Sequence, residues 1–175
     1  MMNIAIYSAF YSTTSITYIK SVIDYLEEKK HIFILIDRLK KHLGSESDKY
    51  NYFKDDEVLS QKVDFLFSVG GDGTLLRSIS IIGDTKIPIL GINAGNLGFL
   101  TTIKRDTLIN GLDMFFDGKY SFVERSLLEV KTKNPIETIE DFGYALNEVS
   151  INRKNTTSML SIDSNLDDQF LTTYW

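Results

Sequence analysis

The sequence contains no cysteine, which excludes disulfide bonds, thiolate zinc sites and cysteine nucleophiles together. Its two histidines, His31 and His42, are too few for a site built from three histidines. No stretch approaches the roughly 20 consecutive apolar residues that a membrane-spanning helix needs. The N-terminal segment also lacks the basic start of a signal peptide. We therefore expect a cytoplasmic chain with no membrane partner.

Basic residues are in the minority, with 19 Lys and Arg against 24 Asp and Glu and a net charge of −5. A general nucleic-acid-binding protein needs a basic face for phosphate contacts, so no nucleic-acid partner is expected. Backbone N–H groups carry no formal charge, so the acidic balance still allows local binding of an anion. The 43% hydrophobic and 25% charged composition is typical of a globular protein and excludes a disordered one.

The first hundred residues alternate between strand and helix patterns. Residues 14–29 carry apolar side chains at three- and four-residue steps, which predicts a helix with one buried face. Because such strands and helices alternate, we predict parallel βαβ units in an α/β domain spanning residues 1–104. Strands are predicted at 3–7, 31–36, 63–69 and 87–92, further helices at 75–82 and 108–115, and a helix end with loop at 43–57.

The pattern changes from Tyr120 onward. Strand-like segments follow one another without a helix between them, so this part is predicted to be antiparallel and β-rich. Four strands over so few residues bury little surface, and we expect an incomplete, β-sandwich-like domain spanning residues 105–175. The strands are predicted at 122–133, 142–151, 159–163 and 169–175, with turn-rich breaks at 134–135 and 164–168.

Residues 68–75 join a buried strand to a helix through a glycine-rich turn. Three glycines, Gly70, Gly71 and Gly73, occupy four positions there, and glycine lets a ligand approach the backbone closely. The unpaired N–H groups and positive dipole end of the following helix favour an anion. The turn is neither a Walker A loop nor a dinucleotide fingerprint, because no Gly-Lys-Ser/Thr follows and Leu76 stands at the third glycine position. We predict that Gly70, Gly71, Gly73 and Thr74 bind phosphate.

Two charged residues accompany this turn. Asp72 would repel a phosphate unless it holds a magnesium ion or accepts the proton of an attacking hydroxyl. Arg77 lies one turn into the helix, where its cation can face a phosphate. The alternative is an ordinary Gly-Asp-Gly turn in which Asp72 caps the helix. The spacing indicates a phosphate or nucleotide site that carries out phosphoryl transfer.

Two later segments also carry candidate ligand contacts. Residues 91–100 follow the fourth predicted strand at the same sheet edge and include three glycines, with Phe99 able to stack on a base. The alternative is a glycine-rich connection with Phe99 and Leu100 in the core. In residues 145–151, Asn147 and Glu148 point to opposite faces of a regular strand, so binding one ligand through both requires a bulge or a strand end. The alternative is an edge strand with a solvated Glu148.

Taken together and in this order, these motifs resemble those of the NAD kinase family. The matches are GGDGT at residues 70–74, GINAGNLGFLT at 91–101 and ALNEVSI at 145–151. The resemblance covers residues 3–175 and corresponds to the N-terminal part of the family, ending before its TPTGST-type loop. It implies phosphorylation of the adenosine 2′-hydroxyl of NAD by ATP to give NADP, with a divalent metal, expected to be Mg²⁺. It also implies a homodimer or homotetramer for the full-length protein.

The resemblance assigns roles to individual residues. Asp72 matches the family's catalytic aspartate, which accepts the proton of the 2′-hydroxyl. No residue is assigned to a metal. The positions that match contacts to NAD are Asp72, Gly73, Arg77, Asn147, Glu148 and Ser158. Phe99, which can stack on a base, is a further candidate contact.

Other functions stay open from the sequence. GGDGT alone is shared with lipid kinases and resembles a signature of 6-phosphofructokinases, so a lipid or sugar kinase is the first alternative. A non-catalytic nucleotide-binding module is the second. Because the family's NAD pocket includes the TPTGST-type loop, the 175-residue chain alone is expected to be an inactive fragment.

Overall fold

A computed structural model describes residues 2–55, 59, 62–95, 98–136, 139, 143–153 and 159–175 of the chain. Its first part is built on a five-stranded sheet in the order β3-β2-β1-β4-β5, and every neighbouring pair is parallel. The predicted parallel α/β fold is confirmed. The strands are β1 (Asn3–Tyr7), β2 (Ile32–Ile36), β3 (Tyr52–Phe53), β4 (Phe65–Gly70) and β5 (Ile89–Asn93).

The helices are α1 (Thr13–Glu28), α2 (Lys40–Leu43), α3 (Asp72–Ile82) and α4 (Leu108–Phe116). Helices α1, α3 and α4 lie close to the predicted positions, whereas α2 was predicted only as a helix end at residue 43. Ser12 caps α1, since its hydroxyl oxygen accepts a hydrogen bond of 3.1 Å from the backbone N–H of Ser15. The apolar stripe predicted for α1 lies on the face that the helix buries, with Ile19, Ile23 and Leu26 in the core. None of the described helices is both long and apolar enough to cross a membrane.

Strand β3 was absent from the sequence prediction. Residues 43–57 were expected to be a helix end and loop, whereas Tyr52 and Phe53 pair with Leu35 and Ile36 of β2. The prediction was wrong at these two residues because a strand of two residues shows no alternating period. Its pairing with β2 extends the parallel sheet by one strand.

Helix α4 shares the core of the parallel sheet. Leu108, Leu112 and Phe115 are buried there, and the Phe115 ring meets Phe65 of β4 edge-on with ring centroids 4.8 Å apart. The Tyr25 hydroxyl of α1 also donates a hydrogen bond of 2.8 Å to the Asp113 carboxylate. Residues just beyond 104 therefore pack with the first part of the chain, and a domain division at residue 104 remains a prediction.

The second part is antiparallel, as predicted, but its strands are shorter. β6 (Leu128–Glu129) pairs with β7 (Tyr144–Ala145), and β8 (Ile162–Leu166) pairs with β9 (Gln169–Tyr174). The expected strands at 122–133 and 142–151 are thus reduced to two residues each in the part of the chain described. Phe122 and Val123 are exposed and pair with no strand in the described part of the chain, and an unpaired strand is not stable by itself.

The β8–β9 hairpin corrects the predicted turn at 164–168. Strand β8 continues to Leu166, so the connection consists of Asp167 and Asp168 alone. Both aspartates have positive φ, 49° and 63°, as a tight two-residue hairpin turn requires. Aspartate tolerates this conformation better than most residues, which explains why the hairpin can form without glycine.

Candidate functional site

The first two motifs lie side by side at the carboxyl edge of the parallel sheet. Gly70 at the end of β4 is in register with Asn93 at the end of β5, and the Ala94 N–H donates to the Gly70 carbonyl at 3.0 Å. The strand order reverses at β1, since β2 lies on one side of it and β4 on the other. Open parallel sheets bind ligands at the carboxyl ends of their strands, close to such a reversal.

The glycine turn presents free backbone donors. Helix α3 begins at Asp72, its N-cap is Gly71, and no side chain caps it. The N–H groups of Thr74 and Leu75 donate to the Gly71 carbonyl at 3.0 and 3.2 Å. Within the described part of the chain, the N–H groups of Asp72 and Gly73 have no acceptor. Two free donors at the positive end of a helix dipole form a local site for an anion.

The three glycines of the turn serve different purposes. A Cβ at Gly70 would overlap the Thr74 hydroxyl and lie 2.7 Å from the Thr74 Cβ, so packing requires glycine there. A Cβ at Gly71 or Gly73 would have no heavy atom within 4 Å. Neither of these two has the positive φ that favours glycine. Neither packing nor backbone conformation therefore requires glycine at 71 and 73. Close approach of a ligand to the backbone would explain glycine at both positions.

The Thr74 side chain faces inward. It is 1% exposed, and its hydroxyl oxygen has no hydrogen-bond partner among the described residues. The Ser68 hydroxyl of β4 is likewise buried and has no partner in the described part of the chain. A buried hydroxyl without a hydrogen-bond partner lowers the free energy of unfolding. A water or ligand atom that reaches either oxygen would therefore be bound favourably. Contact between Thr74 and a phosphate stays a prediction.

The Asp72 carboxylate links the two motifs. Oδ2 accepts a hydrogen bond of 2.8 Å from the Phe99 N–H, and Oδ1 accepts one of 2.9 Å from the Leu100 N–H. These backbone hydrogen bonds, with a further one from Thr101, lower the pKa of Asp72 below its ordinary value. Asp72 does not cap α3, so the alternative of a simple capped turn is wrong.

The loop after β5 is held in shape by Asn93, a residue that the sequence analysis did not single out. Asn93 is buried; its Oδ1 accepts from the Gly95 N–H at 2.8 Å and its Nδ2 donates to the Thr101 hydroxyl at 3.1 Å. An asparagine at the end of an apolar strand was the signal that could have identified it. Phe99 is 99% exposed, so its placement in the core is wrong and its ring is free to stack. Residues 96 and 97 lie outside the described part.

Arg77 lies on the other side of the glycine turn. Its guanidinium carbon is 5.5 Å from the centroid of the Phe10 ring, in the loop after β1, which is a cation–π distance. Both side chains are exposed. Among the described residues, no carboxylate forms an ion pair with Arg77.

The third motif begins directly after a strand. Strand β7 ends at Ala145, so Asn147 and Glu148 lie in the exposed segment that follows it. This strand end is what the sequence analysis required if both are to contact one ligand. Leu146 lines an apolar cavity of about 370 Å³ together with Leu75 and Leu100 of the first two motifs. The cavity brings all three motifs together, while Ser158 lies outside the described residues.

The described residues supply no metal site of their own. They contain no group of three His, Cys, Asp or Glu side chains placed to hold a metal ion. Asp72 is the carboxylate within the glycine turn, and each of its oxygens accepts a backbone hydrogen bond. Among the described residues, it is not joined at this turn by a group of three metal-binding side chains.

Comparison with known proteins gives consistent matches. Residues 11–120 match the model of the ATP-NAD kinase N-terminal domain. The chain is 41% identical to an NAD kinase of Christiangramia forsetii over 178 residues, and 36% identical to one of Flavobacterium psychrophilum over 182 residues. Both matches cover 99% of this chain and 60% of the relative.

The fold also matches a solved structure. The crystal structure of yeast NADH kinase complexed with NADH superposes with a TM-score of 0.72 at 19% identity, over 99% of this chain and 55% of that one. The chain thus spans about 60% of the length of its curated relatives. Because the family model covers more than half of its residues, the chain belongs to the NAD kinase family.

Proposed function

We propose that this chain contributes to the ATP-dependent phosphorylation of NAD at the adenosine 2′-hydroxyl. In this reaction the 2′-oxygen attacks the γ-phosphorus of ATP, the bond to the β-phosphate oxygen breaks, and NADP and ADP are formed. The observation that carries the proposal is the ionised Asp72 beside two free N–H groups at the start of α3. Since the chain spans only part of its relatives, the activity is proposed for the protein completed by the remaining part.

The glycine turn is proposed to hold phosphate oxygens. The N–H groups of Asp72 and Gly73 and the dipole of α3 stabilise negative charge, including charge that develops during transfer. Gly71 and Gly73 leave the space that such an approach needs. Gly70 contributes by letting Thr74 pack beneath the turn.

Asp72 is proposed to act as the general base. It must be ionised to accept the proton of the 2′-hydroxyl, and its backbone hydrogen bonds favour that form. Each oxygen keeps a second lone pair after accepting one N–H, so the substrate hydroxyl can still donate to it. Because its pKa is lowered, Asp72 is a weak base. We propose that a carboxylate oxygen of Asp72 takes the proton of the 2′-hydroxyl only as the P–O bond forms.

Residues from the other two motifs are proposed to hold NAD. Phe99 offers an exposed ring for stacking on the base, and Asn147 and Glu148 offer polar atoms for the base edge and ribose hydroxyls. Ser158 is proposed as a further contact by the family resemblance. The family resemblance also underlies our proposal of a homodimer or homotetramer.

Mg²⁺ is proposed to arrive on the phosphates of ATP. Mg²⁺ keeps several waters and is commonly bound through substrate phosphates with few protein carboxylates. Binding of Mg²⁺ through ATP agrees with the described residues around the glycine turn, which contain no metal-binding cluster. When bound, the ion would neutralise phosphate charge.

A substrate panel tests this proposal. NAD, diacylglycerol and fructose 6-phosphate are each offered with ATP and Mg²⁺ to this chain and to a chimaera. In the chimaera, Trp175 is followed by the part of the Christiangramia forsetii NAD kinase that the match leaves uncovered. We expect NADP formation by the chimaera and no phosphorylation of the other two. Phosphorylation of the lipid or sugar instead, or NAD binding without any NADP formation, would contradict the proposal.

A further inference from the structure

Two consecutive backbone amides hold the Asp72 carboxylate. The N–H groups of Phe99 and Leu100 donate to its two oxygens at 2.8 and 2.9 Å. Among the described residues, no cationic side chain forms an ion pair with Asp72. The direction in which the carboxylate points therefore depends on the backbone of the segment that supplies these amides.

Asn93 fixes that segment from the end of β5. Its Nδ2 donates a hydrogen bond of 3.1 Å to the hydroxyl oxygen of Thr101, the residue directly after Leu100. Its Oδ1 accepts a hydrogen bond of 2.8 Å from the Gly95 N–H. Asn93 is only 4% exposed, so water competes little for these two polar atoms. One buried side chain thus ties Gly95 to Thr101.

The parallel sheet holds Asn93 itself. Asn93 is in register with Gly70, the last residue of β4, and its backbone N–H donates to the Ile103 carbonyl at 2.8 Å. The turn that carries Asp72 begins directly after Gly70. A side chain on a paired strand is held more precisely than one on a loop. Asn93 therefore links the edge of the sheet to the amides that hold Asp72.

Packing alone does not require an amide at this position. Ile92 and Ala94, the neighbours of Asn93 in the chain, are buried apolar residues. Leucine has a similar size and could fill the space, but it can neither donate to Thr101 nor accept from Gly95. Burying a polar side chain costs free energy unless such partners are in place. The identity of residue 93 therefore concerns the geometry of the loop rather than the filling of the core.

We propose that Asn93 is a positioning residue that acts through Thr101 to hold the backbone amides against Asp72. It thereby fixes the direction from which a substrate hydroxyl can reach the carboxylate. The inference rests on the proposed function for the identity of that hydroxyl, the 2′-hydroxyl of NAD. Misplacement of a reacting group by about 1 Å can cost about 10²-fold in rate. Asn93 thus affects turnover through Asp72 rather than through contact with the substrate.

Substitutions at Thr101 test the link to the Asn93 side chain. Thr101→Val keeps the branched shape of the side chain and removes the hydroxyl that accepts from Asn93, whereas Thr101→Ser keeps that hydroxyl. Thr102→Val makes the same change at the exposed neighbouring residue and is the matched control. Asn93→Leu removes both hydrogen bonds at once. Thermal unfolding of each variant verifies that it folds, and the two Thr101 variants still decide the matter if Asn93→Leu does not fold.

Nuclear magnetic resonance of this chain gives a readout that needs no catalysis. Thr101→Val and Asn93→Leu should raise the pKa of the Asp72 carboxyl toward its ordinary value, because the amide hydrogen bonds that lower it are weakened. Hydrogen exchange of the two amides that hold Asp72 should accelerate about 10-fold, as for the loss of one hydrogen bond. Thr101→Ser and Thr102→Val should leave both quantities at their parental values.

Steady-state kinetics of the chimaera add a readout that a merely structural role would not move. Thr101→Val should lower kcat about 10- to 100-fold and leave KM for ATP unchanged, while Thr101→Ser and Thr102→Val should keep a near-parental kcat. An unchanged Asp72 pKa and amide exchange in Thr101→Val, or equal kcat values for Thr101→Val and Thr102→Val, would overturn the inference. If the chimaera forms no NADP but Thr101→Val still changes the Asp72 pKa and the amide exchange, the proposed function fails and the positioning of Asp72 by Asn93 stands.

Discussion

The carboxylate of Asp72 lies against the backbone of Gly98, in the space that a Cβ atom at position 98 would occupy. Immediately after Gly98, the chain donates two backbone hydrogen bonds to the same carboxylate, from Phe99 and Leu100. The carboxylate of the first motif is therefore held by backbone N–H groups of the second motif. Loss of this contact should affect both motifs together.

Replacement of Gly98 by alanine tests this contact. The added Cβ would displace the carboxylate, and we expect a loss of about 1–3 kcal/mol in the free energy of unfolding, typical of overpacking. Hydrogen exchange at the Phe99 and Leu100 amides should accelerate. Gly95→Ala is the control, since a Cβ there would meet no heavy atom within 4 Å. Equal stability of the two variants would contradict the packing described.

Alanine substitutions at Gly70 and Gly73 should separate folding from ligand binding. Gly70→Ala forces a Cβ into Thr74 and should lower the free energy of unfolding by about 1–3 kcal/mol. The Cβ of Gly73→Ala would lie in open space. The free energy of unfolding of this variant should therefore equal that of the parent protein, while its affinity for inorganic tripolyphosphate should fall. Chemical denaturation and calorimetry measure the two effects. Undiminished binding by Gly73→Ala would show that phosphate does not approach this position.

The pKa of Asp72 predicts how pH affects the loop after β5. Backbone hydrogen bonds lower this pKa, so the folded state favours the ionised form, and the resulting stability is present above the ordinary carboxyl pKa. It is lost as pH falls through the lowered value. After correction for intrinsic rates, protection of the Phe99 and Leu100 amides should be constant from about pH 5 to 8. Asp72→Asn should reduce that protection, and unchanged exchange would exclude these amides as donors to Asp72.

His31 predicts a pH dependence of global stability. Its ring stacks on Phe116 with centroids 3.9 Å apart, its buried Nδ1 has no partner among the residues that the structure describes, and burial lowers its pKa below 6.5. The unfolded chain then binds more protons, so the contribution to stability is complete above pH 6.5 and falls as pH drops below it. His31→Phe keeps the ring and removes the titration. Its unfolding midpoint in urea should fall less than that of the parent between about pH 7.5 and 5.5, whereas parallel curves would contradict this role.

The sequence could predict what depends on local pattern. Alternating strands and helices indicated the parallel sheet, and the glycines at 70, 71 and 73 indicated a turn between a strand and a helix at its carboxyl edge. The contact between Phe10 and Arg77 could not be predicted, because it depends on β1 lying beside β4, and local periodicity carries no strand order. The acceptor role of Asp72 toward Phe99 and Leu100 likewise appears only once β4 and β5 are neighbours.

The strand predictions failed for a related reason. Apolar side chains at 122–133 have the composition of a strand, yet only Leu128 and Glu129 pair. A strand needs a hydrogen-bonding partner and a covered face, and neither is encoded in the segment itself. Because strand β7 ends at Ala145, Asn147 and Glu148 lie outside it. They are therefore not forced onto opposite faces of a strand, as the alternating pattern would require.

The most direct test of the account is NADP formation by the chimaera carrying Asp72→Asn, compared with Asp84→Asn near the opposite end of α3. Asp84 is exposed, and its substitution makes the same change in charge. We predict near-parental turnover for Asp84→Asn and, for Asp72→Asn, a loss of about 10²- to 10⁴-fold with NAD binding still measurable. Near-parental turnover by Asp72→Asn would contradict the assignment of Asp72 as the general base.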